Sequence, residues 1–451
     1  MVHIAIIGSG PSGCYIADIL AKKIPDSQVD VFDRLPTPFG LVRAGVAPDH
    51  LHTKNITRQF DRILSRENIR FASNITIETD ISYAELKQHY HIIVIASGAS
   101  LDKKLNIEGE SLNGVYGAGE FSRWYNGHPD SAGLKPHLSN AVAIIGNGNV
   151  ALDIARLLIK QKQQLINSDM NQYVLSLLDD STIKDIYLIG RRSIADASFT
   201  SAELAELLSL PNLSAFINQD QVPEQLPEHI KDEQRPNAER NLAILRALNN
   251  STPASNNYSF NDESDNANNI TRLHFMSCAS PVSISGNNGA ASILHLVKNH
   301  PDDTTATPTG DYMSLNVETV ISAIGFQSSP IPDVPFDATK GIFLHQQGKI
   351  ESGVYTTGWC KRGSHGVIPS NRVDAVSISK MIIAEWEHSV LPSPKAGFSG
   401  ISTLLDKRNI KPVSYNDWKT IDQAEINRAQ ASKPREKFTD ITEMLSLLKK
   451  S

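Results

Sequence analysis

Two glycine-rich segments have the residue types and the spacing of loops that bind the pyrophosphate of a dinucleotide. They are Gly8-Ser9-Gly10-Pro11-Ser12-Gly13 and Gly146-Asn147-Gly148-Asn149-Val150-Ala151, the second with alanine at the third glycine position. In such a loop the first glycine permits a tight turn, the second lets the backbone approach the pyrophosphate, and the third residue lets helix and strand pack closely. Free N–H groups at the start of the following helix then bind the phosphates. The sequence therefore predicts two dinucleotide sites.

The first unit ends in an acidic residue. After the glycine loop, the predicted second strand 29–33 ends in Asp33, 20 residues beyond Gly13. A carboxylate at this position accepts a hydrogen bond from a ribose 2′-hydroxyl and repels a 2′-phosphate. The first unit is therefore predicted to bind a dinucleotide with an unmodified ribose.

The second unit ends in two basic residues. The run 186–189 is followed by Gly190 and then by Arg191 and Arg192. Two guanidinium groups can pair with a 2′-phosphate, and at about 1.5–3 kcal/mol per charge-assisted hydrogen bond they favour NADPH over NADH by roughly 10²-fold or more. The alternative is that both arginines are solvated surface charges. One plain-ribose site and one phosphorylated-ribose site together indicate FAD and NADP(H), and hence a flavoprotein oxidoreductase.

Apolar runs must position these loops. The runs 2–7 and 141–145 precede the two glycine loops, and the runs 92–98 and 319–325 each end in glycine. Short runs of this kind are typical of buried parallel strands. The last two runs lie on either side of the second glycine loop, where a chain would leave one sheet and later return to it. The sequence predicts an α/β fold of two Rossmann-like dinucleotide-binding domains, the NADP domain inserted into a discontinuous FAD domain.

Composition and charge exclude several other classes of protein. The 451 residues are 40% hydrophobic and 20% charged, with 43 Lys and Arg against 49 Asp and Glu, a net charge of −6 that argues against nucleic-acid binding. Cys14, Cys278 and Cys360 are far apart and form no CxxC motif, which disfavours a dithiol redox site and a structural zinc site. No apolar run reaches the roughly 18–20 residues of a membrane span. We expect a soluble cytoplasmic protein.

Longer motifs occur in order along nearly the whole chain. They are PFGLVRAGVAPDH at 38–50, WYNG at 124–127, GNGNVALD at 146–153, Phe199-Thr200 with Glu203, SAIGF at 322–326, Gly358-Trp359 with Lys361-Arg362-Gly363, and KPREK at 433–437. Together they resemble the conserved segments of adrenodoxin reductase-type ferredoxin–NADP reductases. The resemblance implies a glutathione reductase-like fold, with an FAD domain at 1–103 and 325–451 and an NADP domain at 104–324. It also implies transfer of a hydride from NADPH to FAD and of single electrons to a [2Fe–2S] ferredoxin, or the reverse, by a monomer.

The resemblance also implies roles for particular residues. His50 and Asp153 match residues near the flavin and the nicotinamide, and are the candidate catalytic residues. Glu203 is expected to orient the nicotinamide or its ribose, unless it is a solvent-facing helix residue, and Trp359 to lie beside a cofactor ring, unless it only packs in the core. The cofactor-binding residues predicted from the motifs and the resemblance, with no metal ligand among them, are Gly8, Gly10, Pro11, Ser12, Gly13, Asp33, Arg34, Gly40, Leu41, Val46, Gly98, Gly146, Asn147, Gly148, Asn149, Val150, Arg191, Arg192, Glu203, Gly358, Trp359, Gly366, Val367 and Ile368.

Further segments carry separate expectations. Arg235, Arg240 and Arg246 lie where the family has its ferredoxin-docking helix, but acidic residues are interspersed, so a solvated charged face is equally compatible. The loop Gly363-Ser364-His365-Gly366 departs from the family pattern of Pro-Thr between glycines, and His365 could add a titratable group near the nicotinamide. Downstream, Pro369 stands where the family has Gly or Ala, just inside an expected helix start. Residues 250–269, rich in Asn, Ser and Asp, are expected to form a flexible surface loop.

Other functions remain open at this point. The first alternative is an NADPH-dependent flavin reductase or diaphorase that acts on quinones or other small acceptors. A reductase subunit of a larger complex, like the glutamate synthase small subunit, would need cysteines near the N-terminus for iron–sulfur clusters. A non-catalytic nucleotide sensor is disfavoured because both glycine loops are intact.

Overall fold

The computed structural model describes residues 1–24, 26–250, 270–301, 305–387 and 393–449. The expected loop at 250–269 lies outside these residues, apart from its first position. The strands are β1 (Val2–Ile7), β2 (Ser27–Asp33), β3 (Ile69–Ser73), β4 (Ile92–Ile95), β5 (Leu101–Asp102), β6 (Val115–Gly117), β7 (Ser139–Ile145), β8 (Thr182–Ile189), β9 (Leu213–Ile217), β10 (Asn249–Asn250), β11 (Thr271–Met276), β12 (Ala279–Asn287), β13 (Ala290–Asn299), β14 (Pro308–Asn316), β15 (Thr319–Ser322), β16 (Phe326–Gln327), β17 (Phe336–Asp337), β18 (Ile342–Phe343), β19 (Lys349–Glu351) and β20 (Val354–Thr356).

Helices alternate with these strands. They are α1 (Pro11–Lys23), α2 (Leu41–Ala44), α3 (Leu51–Lys54), α4 (Thr57–Leu64), α5 (Tyr83–His89), α6 (Ala118–Tyr125), α7 (Asn149–Ile159), α8 (Lys162–Leu165), α9 (Gln172–Asp179), α10 (Ser201–Leu208), α11 (Arg235–Arg246), α12 (Trp359–Arg362), α13 (Ile368–Glu387), α14 (Phe398–Lys407), α15 (Tyr415–Asn427) and α16 (Ile441–Leu447), with short 3₁₀ turns at Pro129–Ser131, Ile194–Asp196 and Gln219–Gln221. Among the described residues, none of the helices is long and apolar enough to cross a lipid bilayer.

Two parallel sheets organise the chain. The first has the order β19-β20-β4-β1-β2-β3 and is parallel except for its edge strand β19. The second has the order β10-β9-β11-β8-β7-β15-β6 and is parallel throughout. Each strand that precedes a glycine loop is central in its sheet and almost wholly buried, as its continuous apolar run predicts. The predicted α/β fold with two dinucleotide-binding units is confirmed.

The first sheet is built from two separated parts of the chain. Its strands come from residues 2–95 and 349–356, whereas the strands of the second sheet all lie between residues 115 and 322. The outgoing strand β5 and the returning strand β16 pair antiparallel, Leu101 opposite Gln327 and Asp102 opposite Phe326. The boundaries expected at 103/104 and 324/325 fall within or beside this small ribbon, and they stay a prediction.

Candidate active site

A cleft of about 1260 Å³ lies at the carboxyl ends of the central strands. In open parallel sheets this edge is where ligands bind. The predicted residues that line the cleft are Gly8, Gly10, Pro11, Ser12, Asp33, Arg34, Gly40, Leu41, Val46, His50, Gly98, Asn149, Val150, Asp153, Glu203, Trp359, Gly366, Val367 and Ile368. The predicted residues that do not line it are Gly13, Gly146, Asn147, Gly148, Arg191, Arg192 and Gly358. Residues from both glycine-loop units therefore meet in a single cavity.

The three glycines of the first loop differ in their surroundings. Gly8 has a φ of +109°, and a Cβ added to it would lie 2.5 Å from the carbonyl oxygen of Ala96. A Cβ on Gly13 would lie 1.9 Å from the carbonyl oxygen of Gly8, so α1 can approach β1 only without a side chain there. A Cβ on Gly10 would meet Gly40 at an ordinary 3.9 Å. Gly8 and Gly13 are thus required by the fold, whereas Gly10 leaves backbone open to the cleft, as a pyrophosphate site requires.

Asp33 is held in place by the same loop. Its carboxylate accepts a hydrogen bond of 3.0 Å from the backbone N–H of Ser9 and another from the Ser9 hydroxyl. The second carboxylate oxygen accepts from the N–H of Leu35 at 3.1 Å. Because an ionised carboxylate has about four acceptor positions, Asp33 keeps acceptor capacity toward the cleft. Neighbouring Arg34 lines the cleft and pairs through both terminal guanidinium nitrogens with Asp130.

An aromatic pair forms part of the opposite wall. The rings of Trp359 and Phe326 stack with centroids 6.0 Å apart and planes 10° apart. The indole Nε1 of Trp359 is buried and has no hydrogen-bond partner within the described parts of the chain. A buried indole N–H usually has an acceptor. Nε1 itself is not accessible from the cleft, whereas the stacked rings of Trp359 and Phe326 line the cleft as an aromatic wall that fits a flavin ring.

The loop before Trp359 is fixed by close backbone contacts. Gly358 has a φ of +74°, and a Cβ on it would lie 2.1 Å from the Ser12 hydroxyl oxygen. Its N–H donates to Asp374 at 2.6 Å, and the Ser12 hydroxyl donates to Asn371 at 3.0 Å. Gly358 therefore lies behind the cleft wall and lets α12 and α13 approach the first glycine loop.

The departures from the family pattern lie at the same wall. The hydroxyl of Ser364 accepts from the N–H of Phe326 at 3.0 Å and is placed 3.1 Å from its carbonyl oxygen, to which it can donate. His365 is exposed, and Pro369 lines the cleft at the second position of α13, where a helix tolerates proline.

His50 and Asp153 belong to one charged network. The Nε2 of His50 lies 3.2 Å from a carboxylate oxygen of Glu206, and its Nδ1 lies 3.8 Å from Asp153. Asp153 accepts a 2.8 Å bond from Arg156, which also lies 3.2 Å from Glu206. Burial raises the pKa of Asp153, and Arg156 opposes part of that shift. The cleft thus presents an imidazole and a carboxyl group able to hold a proton.

Further members of this network were not predicted from sequence. Asp49 pairs with Arg156 and lies 2.6 Å from Lys160. Part of this network could have been predicted from the sequence. Arg156 and Lys160 follow Asp153 by three and seven residues, a spacing that places them on one helix face, and Asp49 directly precedes His50. Burial, with Asp153 nearby, also raises the pKa of Glu203, which lines the cleft one turn before Glu206.

One imidazole and two carboxylates of the network are close enough together to bind a metal ion. Ligand atoms of His50, Glu203 and Glu206 lie within 4.8 Å of one another. However, Arg156 at 3.2 Å and Lys160 at 3.7 Å already place positive charge beside Glu206. The arrangement is therefore explained as an ion-pair network.

The second glycine loop repeats the geometry of the first. Gly146 has a φ of +135°, and a Cβ on it would lie 2.3 Å from the carbonyl oxygen of Ala323. A Cβ on Gly190 would lie 1.9 Å from the side-chain amide of Asn147, so no side chain fits at this position. The side-chain oxygen of Asn149 accepts from the N–H of Thr200 at 2.8 Å, which ties α7 to the start of α10.

The two predicted phosphate-binding arginines follow β8. Arg191 is exposed, and the side chain of Arg192 is 40% exposed and lies 3.2 Å from Asp196. Both guanidinium groups therefore have surface available to an anion, outside the described cleft.

The three arginines of the expected docking helix are not equivalent. Arg246 donates to the carbonyl oxygens of Pro223 and Glu224 at 2.6 and 2.8 Å, so it fastens the preceding loop to α11. Arg235 is half-buried, whereas Arg240 is exposed on the surface of α11.

Comparisons with known proteins agree with this geometry. Residues 2–194 match the family described as pyridine nucleotide-disulphide oxidoreductase. The chain is 38% identical to a mitochondrial NADPH:adrenodoxin oxidoreductase of Arabidopsis thaliana over 99% of this chain and 95% of the relative. It is 36% identical to the mitochondrial NADPH:adrenodoxin oxidoreductase of Homo sapiens, over 99% and 92% of the two chains.

A solved structure matches over the same length. Mycobacterium tuberculosis FprA in complex with NADPH superposes with a TM-score of 0.87 at 31% identity, covering 99% of both chains. The sequence motifs, the joined cleft and these full-length relatives agree, and the chain belongs to the adrenodoxin reductase-type family of ferredoxin–NADP reductases.

Proposed function

We propose that this protein is an FAD-dependent ferredoxin–NADP⁺ reductase that transfers electrons between NADPH and a [2Fe–2S] ferredoxin. The observation that carries the proposal is the single cleft, in which the first glycine loop and the start of the second nucleotide-binding helix meet. Bound FAD would supply a two-electron acceptor for hydride and a one-electron donor for an iron–sulfur centre. The protein's own part is then to bind both nucleotides, align them and exclude water.

The residues of the two nucleotide-binding units support different cofactors. Gly10 offers open backbone to a pyrophosphate, Asp33 offers acceptors to a ribose, and Trp359 offers an aromatic ring at the cleft wall. These features support FAD at the first unit. Arg191 and Arg192 support NADP(H) at the second, because their guanidinium groups would pair with a 2′-phosphate.

His50 and Asp153 are proposed to act where the nicotinamide meets the flavin. Both side chains line the cleft and are about four-fifths buried, with 19% and 18% exposed. Hydride transfer itself needs no acid or base between the rings, so we assign them to orientation of the nicotinamide and to movement of protons. Glu203 is proposed to orient the nicotinamide ribose from the neighbouring helix.

Docking of an acidic ferredoxin is proposed to involve Arg240. The net charge of −6 would repel an acidic partner unless a local basic face attracts it. Replacing Arg240 with glutamate is expected to raise the KM for ferredoxin several-fold at low ionic strength and to leave NADPH–ferricyanide activity unchanged. An Arg240→Lys control should retain the wild-type KM, and an unchanged KM in Arg240→Glu would contradict docking at this position.

A cytoplasmic monomer remains our proposal for location and assembly. The relatives from Arabidopsis thaliana and Homo sapiens are mitochondrial proteins by name, so cell fractionation is the direct test of location. Sedimentation of the purified FAD-bound chain is the test of its assembly.

Cytochrome c reduction by the purified yellow protein tests the proposed activity. NADPH and NADH are compared, each with and without a [2Fe–2S] ferredoxin. We expect NADPH to be preferred and cytochrome c reduction to require ferredoxin. Rapid NADPH oxidation by quinones with no stimulation by any ferredoxin would instead support a diaphorase.

A further inference from the structure

Two lysines and one aspartate are buried together behind the cleft. Lys54, Lys437 and Asp169 are 7%, 2% and 4% exposed. The ammonium of Lys54 lies 2.8 and 3.0 Å from the two carboxylate oxygens of Asp169, and that of Lys437 lies 3.0 Å from one of them. With both lysines protonated, this lysine–aspartate cluster carries one more positive than negative charge.

The other partners of the cluster are neutral. Lys54 donates to the side-chain oxygen of Asn126 at 2.8 Å, and Lys437 donates to the carbonyl oxygen of the same residue at 3.0 Å. Lys54 also reaches the carbonyl oxygen of Arg43 at 3.4 Å. These contacts give neutral acceptors to the ammonium N–H groups, so they do not reduce the excess positive charge of the cluster.

The neighbouring charged groups cancel one another. Arg43 pairs with the buried Glu425 at 2.6 Å, and Arg435 pairs with Asp422 and lies 3.4 Å from Glu425. Close by in the same segment, Lys433 pairs with Glu436. Burial and the neighbouring ammonium of Lys54 hold the pKa of Lys437 well below its ordinary value, and Asp169 opposes part of that shift, as expected when two ammonium groups share one carboxylate.

The cluster adjoins the part of the cleft where His50 lies. Lys437 and Asn126 both line the cleft, and the N–H of Asp169 donates to the carbonyl oxygen of Pro48 at 3.1 Å, two residues before His50. The neighbouring network around His50 has the opposite charge balance, with more carboxylates than cations. It holds four carboxylates and two permanent cations: Asp49, Asp153, Glu203, Glu206, Arg156 and Lys160.

We propose that the lysine–aspartate cluster is a fixed counter-charge that stabilises the negative charge brought onto FAD with the hydride. The inference rests on the proposed function. Transfer of a hydride from NADPH would release NADP⁺ and would add one hydrogen and one negative charge to bound FAD. The excess of positive charge beside the cleft would stabilise this added negative charge. Because the cluster is fixed and buried, it needs no rearrangement and little of its field is screened by water.

Removing one charge from the cluster tests the proposal. The FAD-bound Lys437→Met variant is titrated anaerobically against a reference dye, and the equilibrium constant for reduction of the flavin is compared with that of the wild type. We expect this constant to fall about tenfold, equivalent to about 1.4 kcal/mol. Lys437→Arg, which keeps the charge, should remain close to wild type, as should Lys340→Met, which removes a lysine whose side chain is 72% exposed.

A second variant changes the charge without removing a lysine. Asn126→Asp is nearly isosteric and gives the two ammonium groups two carboxylates, so it should also lower the equilibrium constant while keeping the cluster packed. Wild-type constants in both Lys437→Met and Asn126→Asp would overturn the counter-charge. An equal fall in Lys437→Arg would also overturn it, because packing rather than charge would then be responsible. Failure of the wild-type chain to bind FAD would contradict the proposed function itself.

Discussion

At the scale of single residues, the glycines of the first loop separate the requirements of the fold from those of the ligand. A Cβ on Gly13 would collide with the carbonyl oxygen of Gly8 at 1.9 Å, whereas a Cβ on Gly10 finds an ordinary distance of 3.9 Å to Gly40. Both glycines belong to one sequence motif. Their physical reasons for being glycine are nevertheless different, and mutation can distinguish them.

We expect Gly10→Ala and Gly13→Ala to fail in different measurements. Gly13→Ala should destabilise the apoprotein by about 1–3 kcal/mol, because the added methyl group overpacks the contact between helix and strand. Gly10→Ala should change apoprotein stability by less than about 0.5 kcal/mol and still weaken FAD binding at least about tenfold. Urea unfolding of the apoprotein and FAD titration measure the two effects. Equal destabilisation by both variants would contradict the assignment of Gly10 to the ligand.

Arg191 and Arg192 determine the proposed choice of nicotinamide nucleotide. Replacing both with alanine is expected to reduce the ratio of kcat/KM for NADPH to that for NADH by roughly 10²-fold, with little change in the NADH value, because only the 2′-phosphate contacts are lost. Steady-state kinetics with ferricyanide as acceptor measures this ratio. An unchanged ratio would show that the arginines are solvated surface charges.

At the scale of secondary-structure elements, a buried carboxyl group links β2 to its neighbours. Asp30 on β2 is fully buried, with Arg70 of β3 at 2.9 Å and the hydroxyl of Tyr90 at 2.9 Å. Burial raises the pKa of Asp30 to about 6, and these two partners offset only part of the shift. The first sheet therefore contains a group that titrates in a mildly acidic range.

The direction of the resulting pH dependence follows from proton binding. The folded chain holds the Asp30 proton more tightly than the unfolded chain, whose aspartate pKa is about 3.9. The stabilising contribution is therefore fully present below about pH 4 and is lost as the pH rises through about 6, a change of about 3 kcal/mol. Asp30→Asn cannot titrate, so its stability relative to wild type should increase over this interval in urea unfolding. A constant difference between the two proteins would contradict the raised pKa of Asp30.

Local elements could be predicted well from sequence, whereas contacts between distant segments could not. The strands before Gly8 and Gly146 were identifiable because buried parallel strands have continuous apolar runs. The role of Arg246 was not identifiable, because its partners are carbonyl oxygens more than 20 residues away. The same reason hides the pairing of Lys54 with Asp169 and Lys437, since nothing local indicates which carboxylate a lysine will meet.

At the scale of the whole molecule, a segment near the C-terminus joins the structures around the two sheets. The N–H of Phe438 donates to Glu425 of α15, which packs with the core of the first sheet. One residue earlier, Lys437 exchanges two hydrogen bonds with the side chain of Asn171, at 3.1 and 2.9 Å. Asn171 directly precedes α9, which packs with the core of the second sheet.

Asn171→Ala should therefore loosen this connection. The substitution leaves the buried N–H and carbonyl groups of Lys437 without partners, at an expected cost of about 2–4 kcal/mol. Limited proteolysis should then cleave the C-terminal segment faster, and thermal unfolding should begin at a lower temperature. Asn416→Ala, at an exposed position of α15, is the matched control and should change stability by less than about 0.5 kcal/mol. Equal behaviour of the two variants would contradict a joining role for residues 436–438.

The most direct test of the central claim is a single anaerobic turnover of the FAD-bound protein, followed by its absorbance spectrum. On mixing with one equivalent of NADPH, the flavin absorbance should bleach, and it should bleach far more slowly with NADH. Adding oxidised [2Fe–2S] ferredoxin should restore the flavin colour and reduce about two equivalents of ferredoxin, because a hydride carries two electrons and each cluster accepts one. A flavin that NADPH does not bleach, or a bleached flavin that leaves ferredoxin oxidised, would contradict the assignment of this chain as a ferredoxin–NADP⁺ reductase.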